Sequence, residues 1–524
     1  MPKPVILLIA SIFLAVIAAC SAREPDRPTP VITPTVAGEE TTIEETSSVS
    51  PSIEKTVVEV PIQVTTIPET GGEEQDESSD QAITEEDLGR VENEGNPLWG
   101  IEMHAITKDN GLELVKQGGT DWIRRNALLW SDVENQEGER NWDVLNRLED
   151  EMVNATEAGM ELILIVRSTP PWAQKEEGTY CGQIQDDKID EFASFMHDVV
   201  ERYSVPPYNV IYWEIGNEPD IDPSAVNSES VFGCWGDRTD KYYGGGYYAK
   251  VLKLVYPQVK AANPDAQLLV GGLLLDCDPF DPPQKPNDSG KFIDCTSSRF
   301  LEGILEGGGG DYFDGVSFHA YDYYYGKLGK YGNGNWHSGW NTTGPVLSSK
   351  TRFVRYVLDL NGFPSKYLIN SEVALLCGNT GNESMCTTEE FEITKAYYAA
   401  QVYAGALAEK LRANIWYSTT GWRSSGMMAK GWIPLPVFDA YQFSATELKD
   451  AVYVSDLRNN SEIMGYEFDR DGTRIWILWS LDGEEHLVTL PELPIEVYDV
   501  FGAPLPITRE LNVTLEPVYI EFSP

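Results

Sequence analysis

The chain has 524 residues, with 83 Asp and Glu against 39 Lys and Arg, for a formal net charge of −44. That is more than one ordinary domain, although a barrel domain uses about 250 residues or more. A chain this acidic is not expected to bind nucleic acid, which needs a basic face. Otherwise its charge concerns solubility rather than fold.

Residues 1–20 read "MPKPVILLIASIFLAVIAAC", one Lys ahead of an apolar run too short to span a bilayer as a mature helix. Its end, Ile17-Ala18-Ala19-Cys20, resembles a bacterial lipobox. The resemblance implies cleavage before Cys20 and a lipid on its sulfur, holding an exported protein to the outer face of a membrane. An ordinary secretory signal is the alternative, and it also places the mature chain outside the cell. Residues 21–95 hold no Phe, Trp or Tyr and are dense in Glu, Thr, Ser and Pro. Such a segment buries too little apolar surface to offset its ordering entropy, so it reads as a disordered, self-repelling stalk.

Six further cysteines follow Cys20: Cys181, Cys234, Cys277, Cys295, Cys377 and Cys386. An even set in an exported chain points to disulfides. Proximity favours Cys277–Cys295 and Cys377–Cys386, which leaves Cys181–Cys234. No CxxC pair or His-spaced cluster supports zinc instead.

From residue 98 a strand-then-helix rhythm repeats. Strands are predicted at 98–104, 121–126, 161–168, 209–218, 267–274, 315–321, 366–373 and 413–419. Helical patterns fall at 144–159, 187–203, 246–262, 298–306, 348–360, 388–412 and 438–451. In the second of these Ile189, Phe192, Phe195, Val199 and Tyr203 share one face. Eight strands alternating with helices predict an α/β fold, a (β/α)8 TIM barrel over 96–451. No Gly-rich phosphate turn follows the first strand, as an open dinucleotide-binding sheet would require. Over 452–524 the rhythm becomes short alternating strands with Asp471-Gly472 and Asp482-Gly483 as hairpin turns, a small all-β sandwich. Trp476 and Trp479 read as core residues of that module.

In a parallel barrel the chemistry lies at the C-terminal strand ends. Those ends carry His104, Arg124, Arg167, Asn217-Glu218, His319, Tyr321, Glu372 and Trp416. Two carboxylates from strands four and seven suit glycoside hydrolysis, where one donates a proton and the other attacks or activates water. "WEIGNEPD" (213–220) and "YLINSEVAL" (367–375) resemble the strand-four and strand-seven signatures of the clan A retaining glycoside hydrolases. "STPPWA" (168–173) and "VSFHAYD" (316–322) are similar to family 39 and some family 5-like members.

The resemblance implies Glu218 as acid/base, Glu372 as nucleophile, and Asn217 as the residue that holds a sugar 2-hydroxyl. It implies double displacement with the carboxyls about 5–5.5 Å apart. One strand-two Arg would hold Glu372 ionised. Alternation lets only one of Arg124 and Arg125 point inward, and the distance from Gly119 favours Arg124. Tyr321 is expected to reach the nucleophile and His319 to position Glu218 or a hydroxyl. His104 and an aromatic face from Trp416 complete the expected pocket. Tyr323, Tyr324, Trp336 and Trp340 in the long loop after strand six, with Trp235, are candidates for outer sugar subsites.

No metal or organic cofactor is implied, and the acidic stretch 276–283 lacks a calcium loop's ligand spacing. The expected partner is an oligosaccharide or polysaccharide with β-linked bonds, the membrane is touched only through the lipid, and the chain is a monomer. A sugar-binding lipoprotein that has lost turnover and a transglycosidase are the competing readings, with a purely structural envelope protein behind them.

Overall fold

In the computed structural model, which describes residues 60–61, 63–65 and 98–524 apart from 228–231, 283–294, 327–335, 341, 343 and 460–461, eight parallel strands close on themselves. They are β1 Trp99–Glu102, β2 Trp122–Leu129, β3 Glu161–Arg167, β4 Tyr212–Ile215, β5 Gln267–Leu273, β6 Gly315–Tyr324, β7 Tyr367–Cys377 and β8 Ala413–Trp416. Each pairs with the next, and β8 pairs back onto β1. This is the expected (β/α)8 barrel.

The helices between them are α1 Leu112–Gln117, α2 Asn146–Ala158, α3 Ile189–Tyr203, α4 Gly245–Ala262, α5 Phe300–Glu306, α6 Val346–Leu360, α7 Glu389–Ala408 and α8 Pro436–Glu447. α3 buries the face its periodicity predicts, with Ile189, Phe192, Phe195, Val199 and Tyr203 all turned to the barrel. The periodicity defines no range for α1, whose 6 residues are too few to show one.

Alternation along the strands separates two cores. Outward residues such as Ile123, Trp213, Ile215, Leu268 and Val270 join the helices in one large cluster. Inward residues Trp122, Ile163, Tyr212, Leu269, Ile369, Ala413 and Ile415 fill the barrel floor as a separate apolar cluster.

The C-terminal region forms two sheets. One carries β9 Val452–Asn459, β10 Ile463–Arg470, β11 Thr473–Ser480, β13 Glu496–Tyr498 and β15 Val518–Phe522; the other carries β12 His486–Thr489 and β14 Glu510–Val513. The alternating pattern predicts strands at 463–468, 474–480, 486–490, 495–501 and 518–522, and β9 and β14 lie outside these. The β10–β11 hairpin turns on Asp471 and Gly472, both at positive φ (53° and 88°), as a tight two-residue hairpin requires. On β11 Trp476 and Leu478 face the sandwich core, while Ile475, Ile477 and Trp479 face the barrel. The module therefore shares an apolar core with α7 and α8, reinforced by Ser444 Oγ to Tyr519 Oη at 2.5 Å.

Within residues 21–95, Val60–Pro61 pairs parallel with β12, and Gln63–Thr65 pairs antiparallel with β9. One short piece of chain adds an edge strand to each sheet. Residues 1–20, Cys20 and the rest of the linker lie outside the described residues. Among those described, no helix is long and apolar enough to cross a membrane.

Candidate active site

Two residues beyond the apolar floor, on the same inward face, the chemistry changes. Gly100 leads to Glu102, Trp122 to Arg124, Tyr212 to Glu214 and Ile415 to Tyr417. Arg124 is 0 % exposed and sits at the centre. Its Nη1 donates to Glu102 Oε2 (2.9 Å) and Glu372 Oε1 (2.5 Å), its Nε and Nη2 to Glu214 Oε2 (3.0 and 2.8 Å), and its Nη2 to Asn217 Oδ1 (2.7 Å). Burial works against its charge, but Glu214, Glu372 and Glu102 outweigh that and hold its pKa well above the ordinary value. Arg125 points outward and pairs with Glu151 at 2.6 Å. A bulge between Arg125 and Leu128 inserts one residue into β2.

The two carboxyls predicted to react are brought together. One oxygen of Glu218 and one of Glu372 lie within 4.8 Å of each other and of a nitrogen of His319. Both side chains are buried, at 5 % and 6 % exposure. Bulges aim them. β7 carries an extra residue between Asn370 and Glu372 relative to β6, and β5 carries one between Val270 and Leu273.

Glu218 itself sits at φ 52°, a left-handed conformation that costs a non-glycine residue on the order of 1 kcal/mol. Its amide is held by the carbonyl of Gly272 at 2.9 Å. Gly272 must lack a side chain, because a Cβ there would lie 2.2 Å from His319 Nε2.

His319 Nδ1 is 2.7 Å from Glu218 Oε1 and 3.5 Å from Glu372 Oε2. Burial, then the charges of Arg124 and Lys350, push the imidazole pKa well below its ordinary value, so it is neutral. Tyr321 Oη donates to Glu372 Oε2. Burial raises the Glu218 carboxyl well above the usual range, and the charges of Glu372 and Asp220 add to it. Burial also raises Glu372, but Arg124 opposes this and leaves it at about 7. The environment thus makes Glu372 the carboxyl that ionises first and Glu218 the one that keeps its proton. The Glu218, His319 and Glu372 atoms are close enough for a cation, yet the Arg124 guanidinium already occupies the neutralising position beside Glu372.

Behind Glu218, Lys350 on α6 is buried and donates to the carbonyls of Leu274 (2.7 Å) and His319 (2.8 Å). Asp220 accepts the amides of Leu274 and Leu275, both at 2.9 Å. These two groups tie the loops after β4, β5 and β6 together.

Other expected site residues fall elsewhere. His104 stands at the mouth, exposed, 3.2 Å from Ser418 Oγ and edge-on to Tyr417. Trp416 does not face the pocket. It is 0 % exposed, donates from Nε1 to the carbonyl of Ser425 and packs against Tyr398 of α7. Since Ala413 and Ile415 point inward, alternation sends Trp416 out and Tyr417 in. Tyr324, Trp336, Trp340 and Trp235 are likewise core residues, at 1 %, 1 %, 2 % and 6 % exposure. β6 returns antiparallel through Trp336–Ser338, and Trp336 packs on Tyr398 of α7 and Trp340 on Phe353 of α6, away from the mouth. Arg167 is half-buried at the rim and bonded to Asn126 at 2.6 Å.

The three disulfides form with the expected pairing, Cys181–Cys234, Cys277–Cys295 and Cys377–Cys386, at the C-terminal strand ends and the loops that follow them. Glu102, Glu214, Lys350 and Tyr417 were not foreseen. Inward alternation from Gly100, Tyr212 and Ile415 would have found three of them; Lys350, on a helix, leaves no such signal.

Residues 79–288 match the family model of cellulases, glycosyl hydrolase family 5. That match agrees with the glycoside hydrolase resemblance of the strand-four motif, which lies within it. Similar solved structures include a family 39 glycoside hydrolase from the gut symbiont Bacteroides cellulosilyticus WH2, at 18% identity and TM-score 0.60, covering 83% of this chain and 82% of that one. A conserved exported protein from Bacteroides fragilis aligns at 13% identity and TM-score 0.57, over 82% of this chain and 98% of that one. The family 39 enzyme from Xanthomonas axonopodis pv. citri gives 13% and 0.51, over 82% and 94%. No curated protein matches. At these identities the structures attest the shared fold.

Proposed function

We propose that this glycoside hydrolase cleaves β-linked O-glycosidic bonds with retention, Glu372 attacking the anomeric carbon and Glu218 serving as acid and then base. The observation that carries this is the approach of the two carboxyl oxygens to within 4.8 Å, the short spacing of double displacement rather than the ~6.5–9.5 Å that leaves room for an inverting water.

In the first step the ionised Glu372 forms a bond to the anomeric carbon while Glu218 gives its proton to the departing oxygen. His319 Nδ1 lies 2.7 Å from Glu218 Oε1; with the neutral imidazole protonated at Nδ1, that contact leaves the proton of Glu218 on Oε2 for the leaving group. In the second step the now ionised Glu218 takes a proton from water, which displaces Glu372 and restores it. Asn217, with its Oδ1 engaged by Arg124, presents its Nδ2 to the sugar 2-hydroxyl, a contact that strengthens in the transition state. Arg124 and Tyr321 stabilise the returning carboxylate of Glu372.

The matching cellulase model favours β-linked plant or microbial polysaccharide as the substrate class. Three disulfides fit an exported chain, and Cys20 is the lipid-bearing residue that would tether it to the cell surface.

The deciding experiment is product release by the purified protein from β-linked oligosaccharides and polysaccharides, with Glu372→Ala alongside. Release abolished in the variant, and restored by azide as a glycosyl azide of inverted configuration, is the expected result. Products longer than the substrate would mark transglycosylation. Sugar binding without release in the wild type would overturn the hydrolase in favour of a binding protein.

A further inference from the structure

The mouth of the barrel has two aromatic levels, and only the inner one belongs to the reacting carboxylates. On β6 the half-buried side chains alternate, Tyr321 and Tyr323 on one face, with buried Asp322 and Tyr324 on the other. Tyr323 therefore stands one pleat, about 6–7 Å, further out than Tyr321. That step is close to the length of one sugar unit.

The loop after β8 follows the same two levels. Tyr417 meets Tyr321 edge-on at 6.2 Å. Further along, the Arg423 guanidinium lies 5.1 Å from the centre of the Tyr323 ring and 5.3 Å from that of Trp422. Trp422 is 55 % exposed, whereas the Trp residues first expected at outer subsites are buried. Arg423 makes one weak bond, Nε to the carbonyl of Cys377 at 3.4 Å, and no carboxylate pairs with it among the described residues, although the chain is at −44. Its Nη2 is buried and has no acceptor among the described residues.

The loop that carries these groups is held firmly. Ser425 Oγ accepts the Trp422 amide (3.1 Å) and donates to the Tyr417 carbonyl (2.7 Å), and the Cys377 amide reaches the Arg423 carbonyl (2.9 Å). Buried Lys395 donates to the carbonyls of Ser424 and Gly426 at 2.9 and 3.0 Å. An exposed indole on an ordered loop loses little freedom when a ligand covers it.

We infer that Trp422, Arg423 and Tyr323 form an outer subsite for a second sugar unit, beyond the one whose bond is cleaved. The aromatic faces take the C–H surface of the ring, and Arg423 donates to its hydroxyl oxygens. The inference rests on the glycosidase reading and makes the protein an oligosaccharide-length-dependent enzyme.

The test compares Trp422→Ala and Arg423→Met with wild type on 4-nitrophenyl β-xyloside and β-glucoside, and on xylo- and cello-oligosaccharides of two to six units. Binding of the same oligosaccharides to the Glu372→Gln protein is measured by calorimetry, with and without Trp422→Ala. In both variants the expected loss of kcat/KM is roughly 5- to 20-fold greater for the oligosaccharides than for the aryl glycoside, carried mainly by KM. The calorimetric affinity falls by the same factor. An equal loss on short and long substrates, or no loss on either, would overturn the subsite while leaving the glycosidase reading intact. Absence of both turnover and binding with every one of these sugars would overturn both.

Discussion

The floor and the mouth of the barrel stand on the same strands, two residues apart, and are built for opposite ends. At the floor Trp122, Tyr212 and Ile415 pack with Ile163, Leu269, Ile369 and Ala413 into an apolar plug. One pleat above, Arg124, Glu214, Glu102 and Glu372 form a buried cluster of one cation and three carboxylates. Floor residues stabilise by burial, at about 25 cal/mol per Å2 of apolar surface. Mouth residues are costly to bury and persist because each charge is partnered. The two carboxyls proposed to react differ in partner, Glu372 meeting Arg124 and Glu218 meeting His319, which separates their proton affinities.

Breaking the contrast at its hinge gives the largest effect. Arg124→Met leaves Glu102 and Glu214 buried without their cation, so stability should fall by about 3–5 kcal/mol. Turnover should fall by on the order of 10²–10³-fold, since the carboxylate of Glu372 loses its guanidinium. Denaturant titration and kinetics on the folded fraction measure the two losses, and a stable Arg124→Met protein would refute the coupling.

Trp122→Ala sharpens the comparison from below. It should cost about 3–5 kcal/mol of stability, with kcat of the folded protein reduced far less than by Arg124→Met.

Lys350→Met removes the donor shared by the carbonyls of Leu274 and His319. A destabilisation of about 1.5–3 kcal/mol is expected, seen as a lower midpoint in the same titration.

The smallest effect is the pH dependence. Glu218 and Glu102 have folded-state pKa values raised above 4.5. The folded state thus holds protons that the unfolded chain has released, and stability falls as pH rises above about 4.5 toward those raised values. Glu218→Gln should flatten that slope, and a melting-temperature series between pH 4.5 and 8 measures it. In the same window kcat/KM should drop on the acid side around pH 7, where Glu372 takes up a proton, and on the alkaline side where Glu218 loses one. Glu372→Gln, lacking the charge that raises Glu218, should lower the Glu218 pKa.

The strand-eight error shows where reading residues in order reaches its limit. Alternation correctly separates Arg124 from Arg125, and the same rule applied to Ala413-Asn414-Ile415 turns Trp416 outward and brings Tyr417 to the pocket. Outer aromatics were sought in the longest aromatic loop, 321–344, but its hairpin folds Trp336 and Trp340 back into the core. An exposed Trp stands instead in the hydrogen-bonded loop after β8. Sequence marks which residues are aromatic; exposure depends on where a loop returns.

The chain's own sequence determined the eightfold strand–helix repeat, the appended β-module, the disulfide pairing, and the two glutamates at strands four and seven. All of these follow from local period, spacing or short motif, and so are written in neighbouring residues. Tertiary structure decided the three-carboxylate cluster around Arg124, the bulges that aim Glu372 and open space at Gly272 for His319, the Lys350 tie behind Glu218, and the exposed Trp422 beside Arg423. Each joins residues from different strands or loops, some more than 200 positions apart as Arg124 and Glu372 are, and the register that brings them together exists only once the barrel has closed.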